Sequence, residues 1–214
     1  MNGLPIKELL VGNMESPLKN LDCYKVILAS NSPRRKQLLE QLGVNFTTRV
    51  LKDVDESYPH DLPVEEIAEF ISRKKAVAYC EQMADDELII TADTIVVCGD
   101  KVMGKPKDSV EACGMLYELS GRTHKVITGV TITTKKLIKS FSAITEVDFA
   151  ELTEEEIAYY VESYKPLDKA GAYGIQGKGC VLVEKIDGDY LNVVGLPVGK
   201  LCEVLREEFD FDVF

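Results

Sequence analysis

The chain has 214 residues, of which 45% are hydrophobic, and a formal net charge of -11. A chain of this length and apolar content can form one α/β domain whose core buries roughly 70% of the surface that the unfolded chain exposes. The negative charge repels polyanions and argues against the broad basic face of a nucleic-acid-binding protein, so any phosphate ligand must be held by local chemistry.

The N-terminal segment and the cysteines indicate in which cellular compartment the protein is expected. Residues 1–22 mix acidic and basic side chains and lack the apolar run and cleavage site of a signal peptide. We therefore expect a loosely ordered arm before a single domain over residues 23–214. No stretch approaches the ~18 consecutive apolar residues of a membrane span. The six cysteines form no C-x-x-C pair, which argues against zinc and redox sites and favours reduced thiols in the cytoplasm.

The first predicted unit is a strand, a tight loop and a helix. The apolar run Tyr24–Ser30 predicts the strand. Ser32 is a favourable N-cap, Pro33 suits the first helical position, and Gly43 suits the C-terminal stop. The pattern therefore predicts a strand–loop–helix junction directly after the arm.

The middle of the chain alternates helices and strands. Apolar residues that share one face predict a helix over about Pro63–Met83, and residues 109–119 predict another. Between them, Leu88–Val97 indicates a buried strand that a polar triplet interrupts. The β-branched residues of Lys125–Thr133 predict a further strand, which runs into a turn at residues 134–136.

The last third of the chain predicts two helices around a glycine-rich loop. Thr153 and Glu156 form a capping box that begins the first of these helices. The glycine-rich loop covers residues 171–179, and Asp187-Gly188 is a hairpin signal between two strands. A closing helix is expected over about Pro197–Phe209. Alternating strands and helices, with antiparallel pairing at the hairpin, favour an α/β fold with a mixed twisted sheet and flanking helices.

Three cations, Arg34-Arg35-Lys36, occupy the first turn of the first predicted helix. The N-terminus of a helix carries partial positive charge, so cations there are mildly destabilising unless an anion is bound. Backbone N–H groups at a strand–loop–helix junction also bind phosphate well. The turn therefore indicates a phosphate site, and the alternative is a solvated basic turn.

Two carboxylates are candidates for chemistry. Asp93 stands in an otherwise apolar strand, and burial of an ionised carboxylate costs several kcal/mol unless it is paired or binds a metal. We therefore expect a cationic partner, and the alternative is a structural aspartate capped by Thr91 or Thr94. Glu56 belongs to the acidic run of residues 53–56, although acidic runs in loops are mostly just solvated. Carboxylate clusters are what Mg²⁺ or Mn²⁺ needs.

Three further side chains are candidates for ligand contacts. Lys75 lies at the border of an apolar stripe, where its ammonium either reaches inward or stays in solvent while the stem covers the core. Lys105 precedes Pro106 on a loop, where it aims at a phosphate or remains an ordinary loop lysine. Gln176, in the glycine-rich loop, offers both a donor and an acceptor. Two distant histidines do not suggest a metal site or triad, and no P-loop or nucleophile elbow occurs.

Five short motifs carry a resemblance to a known family. They are Ala29–Arg35 (ASNSPRR), Thr91–Thr94 (TADT), Gly104–Pro106 (GKP), Leu119–His124 (LSGRTH) and Asp168–Gly177 (DKAGAYGIQG). In this order they resemble the Maf family of nucleotide pyrophosphatases over about residues 24–208. The resemblance implies a two-lobed α/β fold similar to that of inosine triphosphate pyrophosphatases, with the nucleotide in a cleft between the lobes. It also implies a divalent cation, Mg²⁺ or Mn²⁺, and suggests a homodimer.

The resemblance also implies roles for individual residues. Asp93 matches the family's proposed proton acceptor, and Glu56 matches an acidic residue that helps the metal or water. The implied catalytic residues are Asp93, Glu56, Lys75 and Lys105, with the metal at Asp93 and Glu56. The implied substrate-binding residues are Ser32, Arg34, Arg35, Thr94 and Gln176, of which Arg34, Thr94 and Gln176 match positions tied to substrate choice.

The substrate that the resemblance implies is a pyrimidine nucleoside triphosphate. The chain looks like the dTTP/UTP pyrophosphatases, because it has Arg34 and the YGIQG segment where the branch that prefers 7-methyl-GTP has a bulky aromatic and lacks that segment. The implied reaction releases pyrophosphate and the monophosphate. Two alternatives stay open: a pyrophosphatase for 7-methyl-GTP, purine or modified nucleotides, and a regulator of cell division that binds a nucleotide without turnover.

Overall fold

The fold is organised by one mixed β-sheet in the described part of the chain. The computed structural model describes residues 23–52 and 54–209, so the predicted N-terminal arm lies outside the described residues. The strands are β1 (Lys25–Leu28), β2 (Phe46–Thr48), β3 (Glu87–Cys98), β4 (Lys101–Met103), β5 (Thr123–Thr133), β6 (Ile138–Phe149) and β7 (Val183–Asp187). The helices are α1 (Pro33–Gln41), α2 (Val64–Cys80), α3 (Ser109–Leu119), α4 (Glu154–Tyr164), α5 (Tyr190–Val194) and α6 (Val198–Phe209), and 3₁₀ turns lie at Ala170–Ala172 and Gly177–Leu182.

The sheet has the order β2-β1-β3-β5-β6-β7, and β4 pairs with β3. Strand β1 runs parallel to β2 and β3, whereas the β3–β5, β5–β6 and β6–β7 pairs are antiparallel. The prediction of a mixed sheet with flanking helices is therefore confirmed.

Strand β3 has an open stretch along one edge. Its register with β1 ends at the Leu28–Ile90 pair, and its register with β4 begins at the Val96–Met103 pair. Within the described ranges, Thr91–Ile95 therefore has no strand on that side. The end of β1 and the bare edge of β3 together form a notch, the kind of place where α/β sheets bind ligands.

Alternating side chains of β3 pack against helices on both faces of the sheet. Leu88 and Ile90 point into the larger core, to which α1, α3, α4 and α6 contribute. Ile95 and Val97 point to the opposite face, where they pack against α2. Because neighbouring residues of a strand face opposite sides, Asp93 faces α2 and Thr94 faces α1.

The local signals at helix ends are confirmed. The Ser32 hydroxyl accepts from the Arg35 backbone N–H, Pro33 is the first residue of α1, and Gly43 follows the helix with φ 69°. Thr153 and Glu156 form the predicted capping box of α4. Each of these signals depends on contacts within one turn of helix, so local sequence suffices to predict it.

The predicted hairpin at Asp187-Gly188 is wrong. Strand β7 ends at Asp187, and the Asp189 side chain accepts from the Leu191 N–H, which starts α5 instead of a returning strand. Gly188 has φ 126°, and a Cβ there would lie 3.0 Å from the Thr145 hydroxyl oxygen. The glycine therefore permits a close approach to β6.

Strand β6 has no counterpart among the predicted elements. Its buried residues alternate along the strand, at Phe141, Thr145, Val147 and Phe149, which is a usable strand signal. The antiparallel pairing expected at the hairpin comes instead from β5–β6 and β6–β7. Within the described residues, each helix is too short or too polar to cross a bilayer.

Candidate active site

The notch at the open edge of β3 forms a cleft of about 370 Å³. This volume falls in the range of small-molecule sites. The structure brings all nine predicted site residues to its wall: Ser32, Arg34, Arg35, Glu56, Lys75, Asp93, Thr94, Lys105 and Gln176. They come from the β1–α1 loop, the first turn of α1, the loop before α2, α2 itself, β3, the loop after β4 and the glycine-rich loop.

Lys75 joins the two candidate carboxylates. Its Nζ lies 2.7 Å from Asp93 Oδ1 and 3.0 Å from Glu56 Oε1. The Lys75 and Asp93 side chains are each only 16% exposed, whereas Glu56 is 58% exposed. The cationic partner predicted for Asp93 is therefore Lys75, and Lys75 reaches inward from the border of its apolar stripe.

The alternative for Asp93, a structural aspartate capped by Thr91 or Thr94, does not match the hydrogen bonds of these two threonines. The Thr91 hydroxyl donates to the Ser72 carbonyl, 2.8 Å away, and the Thr94 hydroxyl lies 3.0 Å from that of Thr128. Neither threonine caps Asp93. The carboxylate is held by an ammonium and faces the cleft, as a group available to a ligand does.

Asp93 and Glu56 fit a divalent cation only together with a ligand. Among the described residues no group of three or more histidine, cysteine or acidic side chains is arranged to hold a metal. Mg²⁺ is commonly bound by one or two carboxylates with substrate phosphates. Two carboxylates share the single ammonium of Lys75, so one negative charge remains for a cation. The donor set therefore fits Mg²⁺ or Mn²⁺ once phosphate oxygens complete it.

Arg35 is a cation inside a cage of neutral acceptors. Its guanidinium donates to the carbonyls of Gly195 and Ala92, at 2.8 and 2.9 Å, and to the hydroxyls of Thr94 and Ser30, at 2.9 and 3.4 Å. Burial lowers the pKa of Arg35, and Asp93 opposes that shift. Arginine stays protonated nonetheless, because its ordinary pKa is so high.

These hydrogen bonds fix the position of the Arg35 guanidinium, and the guanidinium can still bind an anion. Four of its five N–H donors are used, and within residues 23–52 and 54–209 it has no ion-pair partner. The Ala92 carbonyl belongs to the open edge of β3, so Arg35 substitutes for the missing strand there. A positive charge and one N–H remain for an anion in the cleft.

Arg34 and Lys36 differ from Arg35. Arg34 Nη1 lies 3.0 Å from Asp168 Oδ2, and Lys169 Nζ lies 2.5 Å from the other oxygen of that carboxylate. Burial raises the pKa of Asp168, but the hydrogen bonds from Lys169 and Arg34 outweigh it, and the pKa lies below its usual value. Lys36 is 55% exposed and pairs weakly with Glu40 at 4.0 Å. Only two of the three cations in the first turn therefore serve the cleft.

Lys105, Gln176 and Ser32 differ in how available their side chains are to a ligand. Lys105 and Gln176 are exposed, and the described residues provide no ion-pair or hydrogen-bond partner for either side chain. The Ser32 hydroxyl is already engaged as the N-cap of α1. Any direct contact between Ser32 and a phosphate therefore shares that hydroxyl with the helix.

The glycine-rich loop is held in place by contacts with the buried side chains of His124 and Tyr160. The Tyr173 hydroxyl lies 2.7 Å from His124 Nε2, and the Gly174 N–H donates to the Tyr160 hydroxyl at 3.2 Å. Gly171 has φ 67°, and a Cβ there would lie 3.0 Å from a methyl of Val96. The loop that carries Gln176 is thus packed closely onto β3.

Sequence reasoning missed two residues of the cleft wall that organise it. Asp168 pairs with Arg34, and its position at the start of the DKAGAYGIQG motif was the available signal. Tyr79 is 3% exposed and contacts the loop that carries Glu56. It lies four residues after Lys75 on α2, so helical spacing places the two on one face.

Comparison with known proteins identifies relatives over most of the chain. Residues 25–208 match the family model described as Maf-like protein. A dTTP/UTP pyrophosphatase of Bacteroides fragilis (strain YCH46) is 54% identical over 191 residues, which cover 89% of this chain and 99% of that protein. A dTTP/UTP pyrophosphatase of Porphyromonas gingivalis (strain ATCC 33277) is 45% identical over 89% of this chain and 97% of its own length.

The solved structure of a HAM1 protein from Coxiella burnetii aligns with 86% of this chain and 99% of its own, at 16% identity and a TM-score of 0.44. The family model covers most of the chain, and the two enzymes are similar to it almost from end to end. Four of the five motifs line the cleft, and the fifth, Leu119–His124, supports it through the contact of His124 with Tyr173. The motifs, the family model and the two relatives agree: this chain belongs to the Maf family.

Proposed function

We propose that the chain hydrolyses dTTP and UTP to the monophosphate and pyrophosphate. The observation that carries the proposal is the cleft, where the Lys75-linked carboxylates Asp93 and Glu56 face a group of cations. Relatives that are 45–54% identical bear the name dTTP/UTP pyrophosphatase, which supports the choice of substrate. Free thiols at all six cysteines support the further proposal of a cytoplasmic location.

In this proposal Asp93 is the general base. It accepts the proton of the water that attacks the α-phosphorus, and pyrophosphate leaves from the opposite side. Lys75 holds the Asp93 carboxylate in place by the 2.7 Å contact. Turnover therefore depends on both residues, and Asp93 touches the reacting water directly.

The cations of the cleft act on the phosphates. Arg34, Arg35 and Lys105 neutralise negative charge that develops on the transferred and leaving groups. Asp93 and Glu56 would hold Mg²⁺ or Mn²⁺ with the phosphate oxygens, and the bound cation would polarise the α-phosphate. In this proposal Asp93 accepts the proton, and Asp93 and Glu56 together provide the negative charge that a divalent cation needs.

The proposed base preference rests on Gln176. Uracil and thymine present a carbonyl acceptor beside an N3–H donor, which one amide meets with its own donor and acceptor. A mismatched base leaves buried polar groups unpaired at about 1–3 kcal/mol each, which corresponds to a preference of ~10- to 100-fold. Since the described residues do not fix the Gln176 amide by a hydrogen bond, we expect the lower end of that range.

Pyrophosphate release from a panel of nucleotides tests the proposal. We expect higher kcat/KM for UTP and dTTP than for CTP, ATP and GTP, and Gln176→Ala should narrow the gap. The exposed Gln82→Ala, outside the cleft, is the matched control. Equal rates on all five, or preference for 7-methyl-GTP, would contradict the pyrimidine assignment, and tight binding without release would indicate a non-catalytic regulator.

The same assay tests the metal. Excess EDTA should abolish release, and added Mg²⁺ or Mn²⁺ should restore it, because two carboxylates alone leave the triphosphate charge unbalanced. Turnover that continues in EDTA and does not respond to either cation would exclude the divalent cation from the reaction.

A further inference from the structure

The loop between β2 and α2 is held onto α2 by side chains. We define the acidic loop as residues 49–52 and 54–57, which have no regular secondary structure and end with the segment that contains Glu56. A carboxylate on such a loop reaches a fixed position only if other contacts fix the backbone. The contacts come from three residues of α2: Lys74, Lys75 and Tyr79.

Tyr79 makes the buried contact. Its hydroxyl donates to the Arg49 carbonyl at 2.8 Å and accepts from the Leu51 N–H at 2.9 Å. The side chain is 3% exposed, so water does not replace either bond at low cost. The guanidinium of Arg49, 5.8 Å above the Tyr79 ring, also makes a bidentate pair with Glu87 at 2.9 and 2.8 Å. The first residues of the acidic loop are thereby locked to α2 and β3.

Lys74 makes the exposed contact at the other end of the loop. Its Nζ lies 2.6 Å from Asp55 Oδ2 and 3.0 Å from the Ser57 carbonyl. Asp55 is 67% exposed, and exposed ion pairs contribute little to stability. The two hydrogen bonds of the buried Tyr79 hydroxyl therefore dominate the anchoring of the loop.

We propose that Tyr79 is a positioning residue that anchors the acidic loop and so places the Glu56 carboxylate beside Lys75 and Asp93. It does not need to touch the nucleotide in order to act. Its effect on turnover rests on the proposed function, whereas its effect on the loop does not. The two effects are therefore measured separately.

Tyr79→Phe removes the hydroxyl and keeps the ring. Without the anchor we expect kcat for dTTP to fall about tenfold, the order expected for losing buried hydrogen bonds. In a Glu56→Gln background the same change should matter less than about twofold, because the residue through which Tyr79 acts is already disabled. Tyr117→Phe, a 66% exposed tyrosine on α3 outside the cleft, is the control and should leave kcat unchanged.

Hydrogen exchange tests the anchor without substrate. The Leu51 amide should exchange about tenfold faster in Tyr79→Phe, while amides in the β3–β5 pairing keep their wild-type rates and show that the sheet is intact. An unchanged Leu51 rate would overturn the inference, as would an equal loss of kcat with and without Glu56. If the wild-type chain releases no pyrophosphate from any nucleotide, the proposed function fails, and the Leu51 rate alone then decides whether Tyr79 anchors the loop.

Discussion

Lys75 is the side chain that links the two carboxylates of the cleft. It pairs with Asp93 and Glu56 at 2.7 and 3.0 Å, although these come from a strand and from an irregular loop. Two carboxylates against one ammonium leave a net negative charge beside the place where a triphosphate would bind. Arg34, Arg35 and Lys105 attract the phosphates from other parts of the wall. A divalent cation between the two carboxylates and the phosphates would remove the remaining local repulsion, which supports the proposed metal dependence.

Replacement of Asp93 by Asn tests its role as the base. The amide keeps the shape but cannot accept the proton, so turnover should fall roughly 10²- to 10⁴-fold while circular dichroism shows a folded protein. Asp187→Asn, whose carboxylate is 74% exposed and lies outside the cleft, is the matched control and should retain full activity. A folded Asp93→Asn variant that kept more than about a third of its activity would mean that Asp93 is structural.

At the scale of elements, the position of Lys75 depends on how closely α2 approaches the sheet. Gly129 of β5 pairs with Asp93 across the ladder, and a Cβ on Gly129 would lie 2.2 Å from the backbone of Ala68 and Glu69. No side chain fits between β5 and α2 at this point. The absence of a Cβ there lets the helix come near enough for Lys75 to reach Asp93.

Gly129→Ala should therefore move α2 as well as destabilise the fold. Overpacking of a tight interior costs typically about 1–3 kcal/mol, so we expect a loss of that order in urea unfolding, together with loss of turnover. Gly114→Ala is the matched control, since Gly114 is exposed in α3 and its Cβ would meet open space. That change should be neutral or stabilising by up to ~1 kcal/mol. Equal stability of the two variants would show that the close approach is unimportant.

At the scale of the whole molecule, a net charge of -11 contrasts with a cleft lined by Arg34, Arg35, Lys75 and Lys105. The surface as a whole repels a nucleotide, and the local cations attract it, which restricts binding to the cleft. Below neutral pH a buried histidine adds another electrostatic effect. His124 is 2% exposed, and burial lowers its pKa to about 4.

The histidine should make the fold sensitive to acid. An unfolded histidine has a pKa of about 6.5, so the unfolded chain binds more protons than the folded chain between pH 6.5 and 4. The free energy of unfolding should thus fall as pH drops through this window, by on the order of 3 kcal/mol in total. Carboxylates with lowered pKa values, such as Glu87, lose their stabilisation mainly below this window.

Urea unfolding at pH 7, 6 and 5 measures this effect. His124→Gln should show a shallower loss of stability with falling pH than the wild type, since the group that titrates is gone. His60→Gln, an exposed histidine outside the cleft, should keep the wild-type slope. The same slope in all three proteins would show that His124 does not cause the acid sensitivity.

Local patterns predicted much of the framework. The caps at Ser32 and Thr153 and the helix over residues 109–119 depend on neighbours within a few positions, so they could be found without the fold. The hairpin at Asp187-Gly188 fails because the close approach of Gly188 to β6, which is remote in sequence, and the local N-cap at Asp189 together override the turn signal. Local propensity decides an element only where no distant neighbour competes with it.

The sequence by itself determined the family, through five motifs, and the set of side chains available for chemistry. Only the tertiary structure decided how these side chains meet. Arg35 reaches the Ala92 and Gly195 carbonyls, 57 and 160 positions away, and Lys75 reaches Asp93 across 18 positions. Such contacts exist because β1 ends early beside β3 and because α2 packs tightly over Gly129. Distances between residues remote in sequence follow from the packing of whole elements, which no local pattern contains.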